Sequence, residues 1–169
     1  MSANFSFEAS EQYKTFAGRR NKQLYYAAVV YSGLIIFAII LSIIMDRKDP
    51  WVGLAGSVGL FVLIGIYGTI ASILRVRNYI TRLVYEDGRV TIDYAHADTI
   101  TRYSGRLDEF EIEKKKSLWG GSKYKASYFL RIKSLNDYSV IKQNETLDWN
   151  VKLMDDFMTA INEPSQTNS

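Results

Sequence analysis

Two long uncharged runs constrain the fold of this chain more than any other feature of its sequence. Residues 24–45 and residues 51–74 contain no aspartate, glutamate, lysine, arginine or histidine. A helix rises about 1.5 Å per residue, so about 20 apolar residues cross the ~30 Å hydrocarbon core of a bilayer. Neither run has the polar stripe that a core helix of a soluble protein usually carries. We therefore expect a transmembrane helical hairpin, with spans over residues 24–45 and 51–75 and a short external turn over residues 46–50.

Basic residues beside the spans predict their orientation. The turn between the spans balances two bases against two acids, whereas the outer flanks of both spans are basic. The flanking bases are Lys14, Arg19, Arg20, Lys22, Arg75, Arg77, Arg82 and Arg89. Because lysine and arginine near span ends favour the cytoplasmic side, both termini should be cytoplasmic. The sequence thus predicts a multi-pass protein of the cytoplasmic (inner) membrane.

The N-terminal segment, residues 1–23, is predicted to be a cytoplasmic arm. A cleaved signal peptide would have an apolar region of about 7–15 residues, much shorter than the first run. In the arm, the aromatic residues Phe5, Phe7, Tyr13 and Phe16 stand among polar ones. Two interpretations stay open: a short amphipathic segment on the membrane surface, or a frayed terminus.

Small residues in the second span predict a close helix contact. Small side chains let helix backbones approach each other within a bilayer. The candidate packing residues are Ala55, Gly59, Gly65, Gly68 and Ser72. They could pack against the first span, or against a second copy in a homo-oligomer. Since neither span contains a charged residue, an ion or proton pathway is not expected.

Residues 76–163 read as an α+β domain. From residue 78 the hydrophobic period is two, and turn signals at Asp87-Gly88, Gly120-Gly121 and Asn136-Asp137 separate the strands. A helix is predicted over residues 147–162, because its apolar residues recur every four positions. Those residues are Trp149, Leu153, Phe157 and Ile161. The polar tail over residues 164–169 is predicted to be disordered.

This order of elements resembles the pleckstrin-homology (PH) superfold. With the preceding pair of spans, it is similar to bacterial two-span membrane proteins that carry a cytoplasmic PH-like domain, the YcxB-like group. The residues that carry the resemblance are the two spans, the strands over residues 79–143, Ile141-Lys142-Gln143 and the Trp149-centred helix. The resemblance implies an antiparallel bent sheet or small barrel capped by the C-terminal helix, acting as an adaptor or scaffold without catalysis. Phosphoinositide-binding PH domains have bases at the first strand hairpin, where this chain has Glu86-Asp87-Gly88-Arg89.

The chain offers few residues for catalysis or metal binding. It has no cysteine and one histidine, His96, and no glycine-rich segment matches a phosphate loop. Glu109, Glu111 and Glu113 could form a cation site, or a solvated strand face paired with neighbouring bases such as Arg131. We expect no enzyme activity, no metal and no cofactor.

A basic and aromatic hairpin tip is the candidate binding site. Its residues are Lys114, Lys115, Lys116, Trp119, Lys123, Tyr124 and Lys125. They could contact anionic lipid headgroups or an acidic protein partner, or simply form a solvated hairpin end. Nucleic acid is not expected, because from residue 75 onward fifteen Lys and Arg residues nearly balance fourteen Asp and Glu residues.

Two functions are compatible with this sequence. The first is a non-enzymatic membrane-anchored adaptor whose PH-like domain binds a protein partner or lipid headgroups. The alternative is an oligomerising membrane sensor whose β domain binds a small anionic ligand. A sensor needs a pocket of about 300 Å³ or more with converging polar groups, whereas an adaptor has an interior filled by apolar side chains.

The first prediction concerns the lipid around the spans. Alkaline carbonate strips proteins from membrane surfaces but leaves spanning helices in the bilayer, since their apolar faces remain in hydrocarbon. We expect the full chain to stay in the membrane pellet after a carbonate wash. Release of the intact chain into the supernatant would contradict the transmembrane hairpin.

Overall fold

The computed structural model describes residues 4–44, 50–117 and 127–163, with the side chains of residues 41–43, 50–55 and 57 left aside. The chain forms two units, which we describe separately. One is a helical unit, Ala17–Arg75. The other, called the β domain below, combines Met1–Phe16 with Val76–Ser169.

The described secondary structure alternates between these units along the chain. In order, its elements are β1 (Phe5–Glu8), α1 (Glu11–Lys14), α2 (Phe16–Ile44), α3 (Pro50–Arg77), β2 (Asn78–Glu86), β3 (Arg89–His96), β4 (Thr99–Arg106), a 3-10 turn (Leu107–Glu109), β5 (Phe110–Lys116), β6 (Tyr128–Ser134), β7 (Val140–Asn144) and α4 (Val151–Asn162).

The helices α2 and α3 have the length and composition to cross a membrane. Within the described residues, these properties extend over Phe16–Ile40 and Val58–Arg77, and only 6% of the apolar window in each is buried. A core helix of a soluble protein would bury most of such a window. The exposed apolar surface therefore agrees with the predicted pair of spans. Helix α2 also begins earlier than the predicted span, at Phe16 instead of residue 24.

The N-terminal segment corrects one prediction. Instead of a separate arm over residues 1–23, β1 pairs antiparallel with β2, and residues 17–23 lie within α2. The side chains of Phe5 and Phe7 enter the core, with ring centroids 5.1 Å from Phe157 and 4.5 Å from Trp149. Neither a membrane-surface segment nor a frayed end describes β1. The helical unit is thus inserted between the first and second strands of the β domain.

The β domain consists of two antiparallel sheets and a C-terminal helix. Among the described residues, one sheet has the order β1-β2-β3-β4 and the other β5-β6-β7. The Asp87-Gly88 turn is confirmed, and positive φ angles of 49° and 75° fit a type I′ hairpin. Large apolar side chains fill the core. Those with at most 1% exposure include Tyr79, Ile80, Leu83, Val90, Ile92, Leu130, Ile132, Trp149, Met154 and Phe157.

The C-terminal helix begins later than predicted, at Val151 instead of residue 147. Trp149 forms an isolated bridge with Thr146, so its backbone is extended and its ring lies in the core ahead of the helix. Asn150 caps α4, because its side chain accepts a hydrogen bond of 2.9 Å from the Leu153 amide. The apolar spacing of four residues that predicted the helix therefore extends to Trp149, which lies outside it.

The backbone of Ile80 joins the two sheets. Its amide donates to the Gln143 side chain on β7 (2.7 Å), and its carbonyl accepts from the Trp149 indole (3.0 Å). A register shift lies between Ile80 and Arg82, and the amide of Ala9, just beyond β1, donates to the Thr81 carbonyl. Beyond the end of β1, side chains thus supply the hydrogen bonds that another strand would provide.

A polar-to-apolar substitution tests this junction. Gln143→Met keeps the volume of a fully buried side chain but leaves the Ile80 amide without its acceptor. We expect a loss of about 1–3 kcal/mol in the free energy of unfolding, the usual cost of an unsatisfied buried polar group. Chemical denaturation of the detergent-solubilised full chain measures it.

The matched control is Lys142→Met on the same strand, where the side chain is exposed. It should change stability by no more than about 0.5 kcal/mol. Equal effects of the two substitutions would remove the special role of Gln143.

Candidate functional site

The described part of the predicted basic tip is engaged within the β domain. Lys114 contacts Asp155 of α4 at 2.5 Å, and its ammonium lies 4.6 Å from the centre of the Tyr128 ring. Lys115 pairs with Glu113 at 2.7 Å. Of these three lysines, Lys116 alone has no ion pair with a described residue. Trp119, Lys123, Tyr124 and Lys125 lie outside the described residues.

Glu111 and Glu113 of β5 form the paired strand face that was one of the two predictions, whereas Glu109 lies in the preceding 3-10 turn, where its carboxylate accepts from the Arg106 amide. Arg131 contacts Glu113 at 2.9 Å and Glu111 at 3.3 Å, and Lys133 contacts Glu111 at 3.3 Å. Hydrogen bonds from Lys115 and Arg131 lower the pKa of Glu113. Within the described residues, no group of three His, Cys, Asp or Glu side chains could hold a metal ion. These carboxylates are therefore neutralised by bases.

Part of the predicted helix contact lies inside the hairpin. Gly65 and Gly68 of α3 face Tyr31 of α2: an added Cβ would collide with the Tyr31 hydroxyl at Gly68 and would lie 3.2 Å from the Tyr31 ring at Gly65. Ser72 and Gly68 line a cleft of about 180 Å³ beside Tyr31. Gly59 faces open space, and the Ala55 side chain is outside the described ones. Packing of the two helices on each other thus explains Gly65 and Gly68.

A row of alternating charges crosses the outer face of the four-stranded sheet. The strand registers align Glu8 with Arg82, Arg82 with Asp93, and Asp93 with Arg102. Arg102 contacts Asp93 through two hydrogen bonds, of 2.6 Å and 2.9 Å. The side chain of Asp93 is 11% exposed, whereas that of Arg102 is 63% exposed. The row therefore ends in a solvent-facing guanidinium on β4.

Strand β4 is an open edge. Among the described residues it pairs with β3 alone. His96 and Thr99 flank the two-residue turn between these strands, so Thr99, Thr101, Tyr103 and Gly105 direct their backbone groups toward β3. Alternate residues direct theirs away. They are Ile100, Arg102, Ser104 and Arg106.

The outward groups of β4 are covered at one end only. The Arg106 amide donates to the Glu109 carboxylate at 3.1 Å. The outward backbone groups of Ile100, Arg102 and Ser104 have no hydrogen-bond partner among the described residues. The Ile100 side chain is also 57% exposed. Such an edge is a template for pairing with another strand.

This surface was not predicted from the sequence. Alternation along residues 99–106 gives a strand, but its position at the sheet edge depends on its pairing with β3 alone among the described residues. The charge row likewise needs three registers, one of which involves Glu8 in the segment that was predicted to be an arm. A close reading of the alternation in Phe5-Ser6-Phe7-Glu8 could have indicated a strand.

Comparisons with known proteins found no match to this chain. No family model matches the chain, and neither a curated protein nor a solved structure matches it. The surface is therefore interpreted from its own residues.

The ion pair of Asp93 predicts a pH dependence of stability. Hydrogen bonds from Arg102 lower the pKa of Asp93 from its ordinary value of 3.8. A depressed carboxyl pKa stabilises the fold above the unfolded-state value, and the contribution is lost as the pH falls through the lower, folded-state pKa. Asp93→Asn should therefore be less stable than the natural chain at pH 7, with a difference that shrinks below pH ~4.

Urea unfolding of the detergent-solubilised chain at pH 7 and at pH 3 measures this difference in stability. Asp156→Asn, on the exposed face of α4, serves as the control, since Asp156 has no ion pair with a described residue. A constant difference between Asp93→Asn and the natural chain from pH 7 to pH 3 would contradict the assignment.

Proposed function

We propose that the protein is a membrane-anchored adaptor without catalytic activity, whose β domain binds a protein partner at the cytoplasmic face of the inner membrane. The observation that carries this proposal is the insertion of two membrane-length apolar helices inside a folded domain. Two covalent connections then tether the domain to the bilayer. Tethering raises the local concentration of the domain, so that even weak contacts with another membrane-associated protein are effective.

The topology supports a PH-like assignment of the β domain. A four-stranded and a three-stranded antiparallel sheet followed by one helix, as found in the described residues, is the order expected of that superfold. In this interpretation the helix pair occupies the loop between the first two strands. The likeness to the two-span YcxB-like group rests on the two apolar helices and on the strands and helix that follow them; β1, ahead of the helices, was not part of that resemblance.

Hydrogen bonds within the β domain fix both of the points where its chain is interrupted. The Asp98 carboxylate accepts from the amide of Phe16, the last residue of the N-terminal part of the domain, at 2.7 Å. The neighbouring Ala97 amide donates to the Arg77 carbonyl at 2.7 Å. One turn between β3 and β4 therefore bonds to both ends of the domain where the chain leaves and returns.

The filled interior favours an adaptor over a sensor for a small anion. Residues at the centre of the described core are large, apolar and at most 1% exposed, for example Leu83, Ile92 and Phe157. The one fully buried amide side chain in this core, Gln143, bonds to the protein backbone. Lys114 and Lys115 are paired within the domain, so Lys116 is the one lysine in the described part of the hairpin tip that has no ion pair with a described residue.

Site-specific photo-crosslinking in intact cells tests this function. A crosslinking amino acid in place of Leu63, which is 67% exposed on α3, should give lipid adducts. The same amino acid in place of Lys116 or Tyr138, on the β domain, should give discrete protein adducts in the membrane fraction.

Position Phe157 is the control, since its buried side chain contacts only the domain itself. Protein adducts at Leu63 without lipid adducts would contradict the membrane anchor. Lipid adducts alone at Lys116 and Tyr138 would show headgroup binding instead of a protein partner.

A further inference from the structure

The open run of β4 has the features of a strand-addition site. Its outward backbone groups at Ile100, Arg102 and Ser104 have no partner among the described residues. The same residues present their side chains on the outer face, because Tyr103 between them packs against the core. An incoming extended segment would therefore gain main-chain hydrogen bonds and meet these three side chains at once.

The charge row specifies the incoming segment. Across the sheet the sequence of charges is acid, base, acid, base, and it ends at Arg102. The next position in this series belongs to an acid, since opposite charges directly across neighbouring strands stabilise a sheet. Arg106, whose side chain is 71% exposed, lies on the same face, where it contacts Asp108 at 3.3 Å. An apolar residue of the segment would lie beside Ile100.

Two possible occupants from this chain, a second copy of β4 and the segment over residues 118–126, fit the edge poorly. A second copy of β4 would bring its own Arg102 and Arg106 to a strand that carries no acid, so like charges would face each other. The segment over residues 118–126 contains two lysines and no acid. Neither occupant therefore has an acidic side chain to place opposite Arg102.

We propose that the edge of β4 binds an extended acidic segment of another protein by strand addition, with an acidic side chain opposite Arg102. This inference rests on the proposed adaptor function and names the class of partner. The segment alternates acidic or apolar residues on the outer face with small residues on the inner one.

A synthetic probe tests the site on the full chain in nanodiscs. The probe is the labelled peptide Thr-Glu-Thr-Glu-Thr-Val-Thr, and its matched control has lysine in place of both glutamates. We expect the acidic peptide to bind about tenfold more tightly than the basic one at low salt, as fluorescence anisotropy would measure. Equal binding of the two peptides would overturn the proposal.

Matched substitutions of basic residues locate the binding. Arg102→Gln should weaken binding of the acidic peptide about fivefold, whereas Lys142→Gln, at an exposed position of β7 in the other sheet, should leave it unchanged. Arg102→Glu should reverse the preference between the two peptides. Loss of binding in the Lys142 variant with none in the Arg102 variant would overturn the assignment to the edge.

A backbone substitution separates strand addition from simple charge attraction. Ser104→Pro removes one outward amide, and edge strands tolerate proline where the amide faces away from the sheet. Binding should fall while the unfolding midpoint is retained. If this variant unfolds, a photo-crosslinker in place of Ile100 decides the question: adducts with the acidic peptide support the site, and adducts with a second copy or with residues 118–126 overturn it.

Failure of this inference and failure of the adaptor function are distinguishable. Protein adducts at Lys116 or Tyr138 without binding of the acidic peptide would remove the edge site and leave the adaptor. Binding of the peptide by a chain that gives no lipid adducts at Leu63 would leave the edge site and remove the membrane anchor.

Discussion

The β domain depends on how the backbone of one residue, Ile80, is satisfied. Ile80 is aligned with Tyr94 of β3, but β1 ends before it, so its amide and carbonyl have no strand to pair with on the side away from β3. Gln143 from the second sheet and Trp149 ahead of the last helix supply the missing partners. Phe7 of β1 then packs on the same indole, at 4.5 Å. Because an unpaired buried amide is costly, this single position ties both sheets, the first strand and the C-terminal helix into one fold.

Sequence patterns predicted the elements whose signals are local. The uncharged runs predicted the two helices, Asp87-Gly88 predicted a hairpin, and alternation predicted the strands β2 to β7. The patterns failed where a partner is distant along the chain. The strand Phe5–Glu8 pairs with residues more than 70 positions away, beyond both apolar runs, and four residues are too few for a clear period. Trp149 fitted a helical spacing, yet its bridge with Thr146 places it before the helix.

The candidate site shows the same division between local and distant information. The sequence identified lysines at the end of β5 as a cluster, but pairing with Asp155 and Glu113 required the positions of α4 and of the neighbouring side chains. The edge of β4 is a property of the whole sheet and cannot be read from residues 99–106 alone. Among the described residues, the domain combines a core of large apolar side chains with an edge strand, β4, that pairs on one side.

The split of the β domain across the helical insertion also governs its biogenesis. During synthesis, β1 leaves the ribosome first, but the residues with which it pairs, Arg82–Tyr85, emerge only after both apolar segments have been made. The four-stranded sheet cannot form before that moment. Both hydrophobic segments are therefore synthesised before the β domain is complete. Closure of the sheet therefore requires that both apolar segments have been synthesised, and without β2 the strand β1 has no partner to pair with.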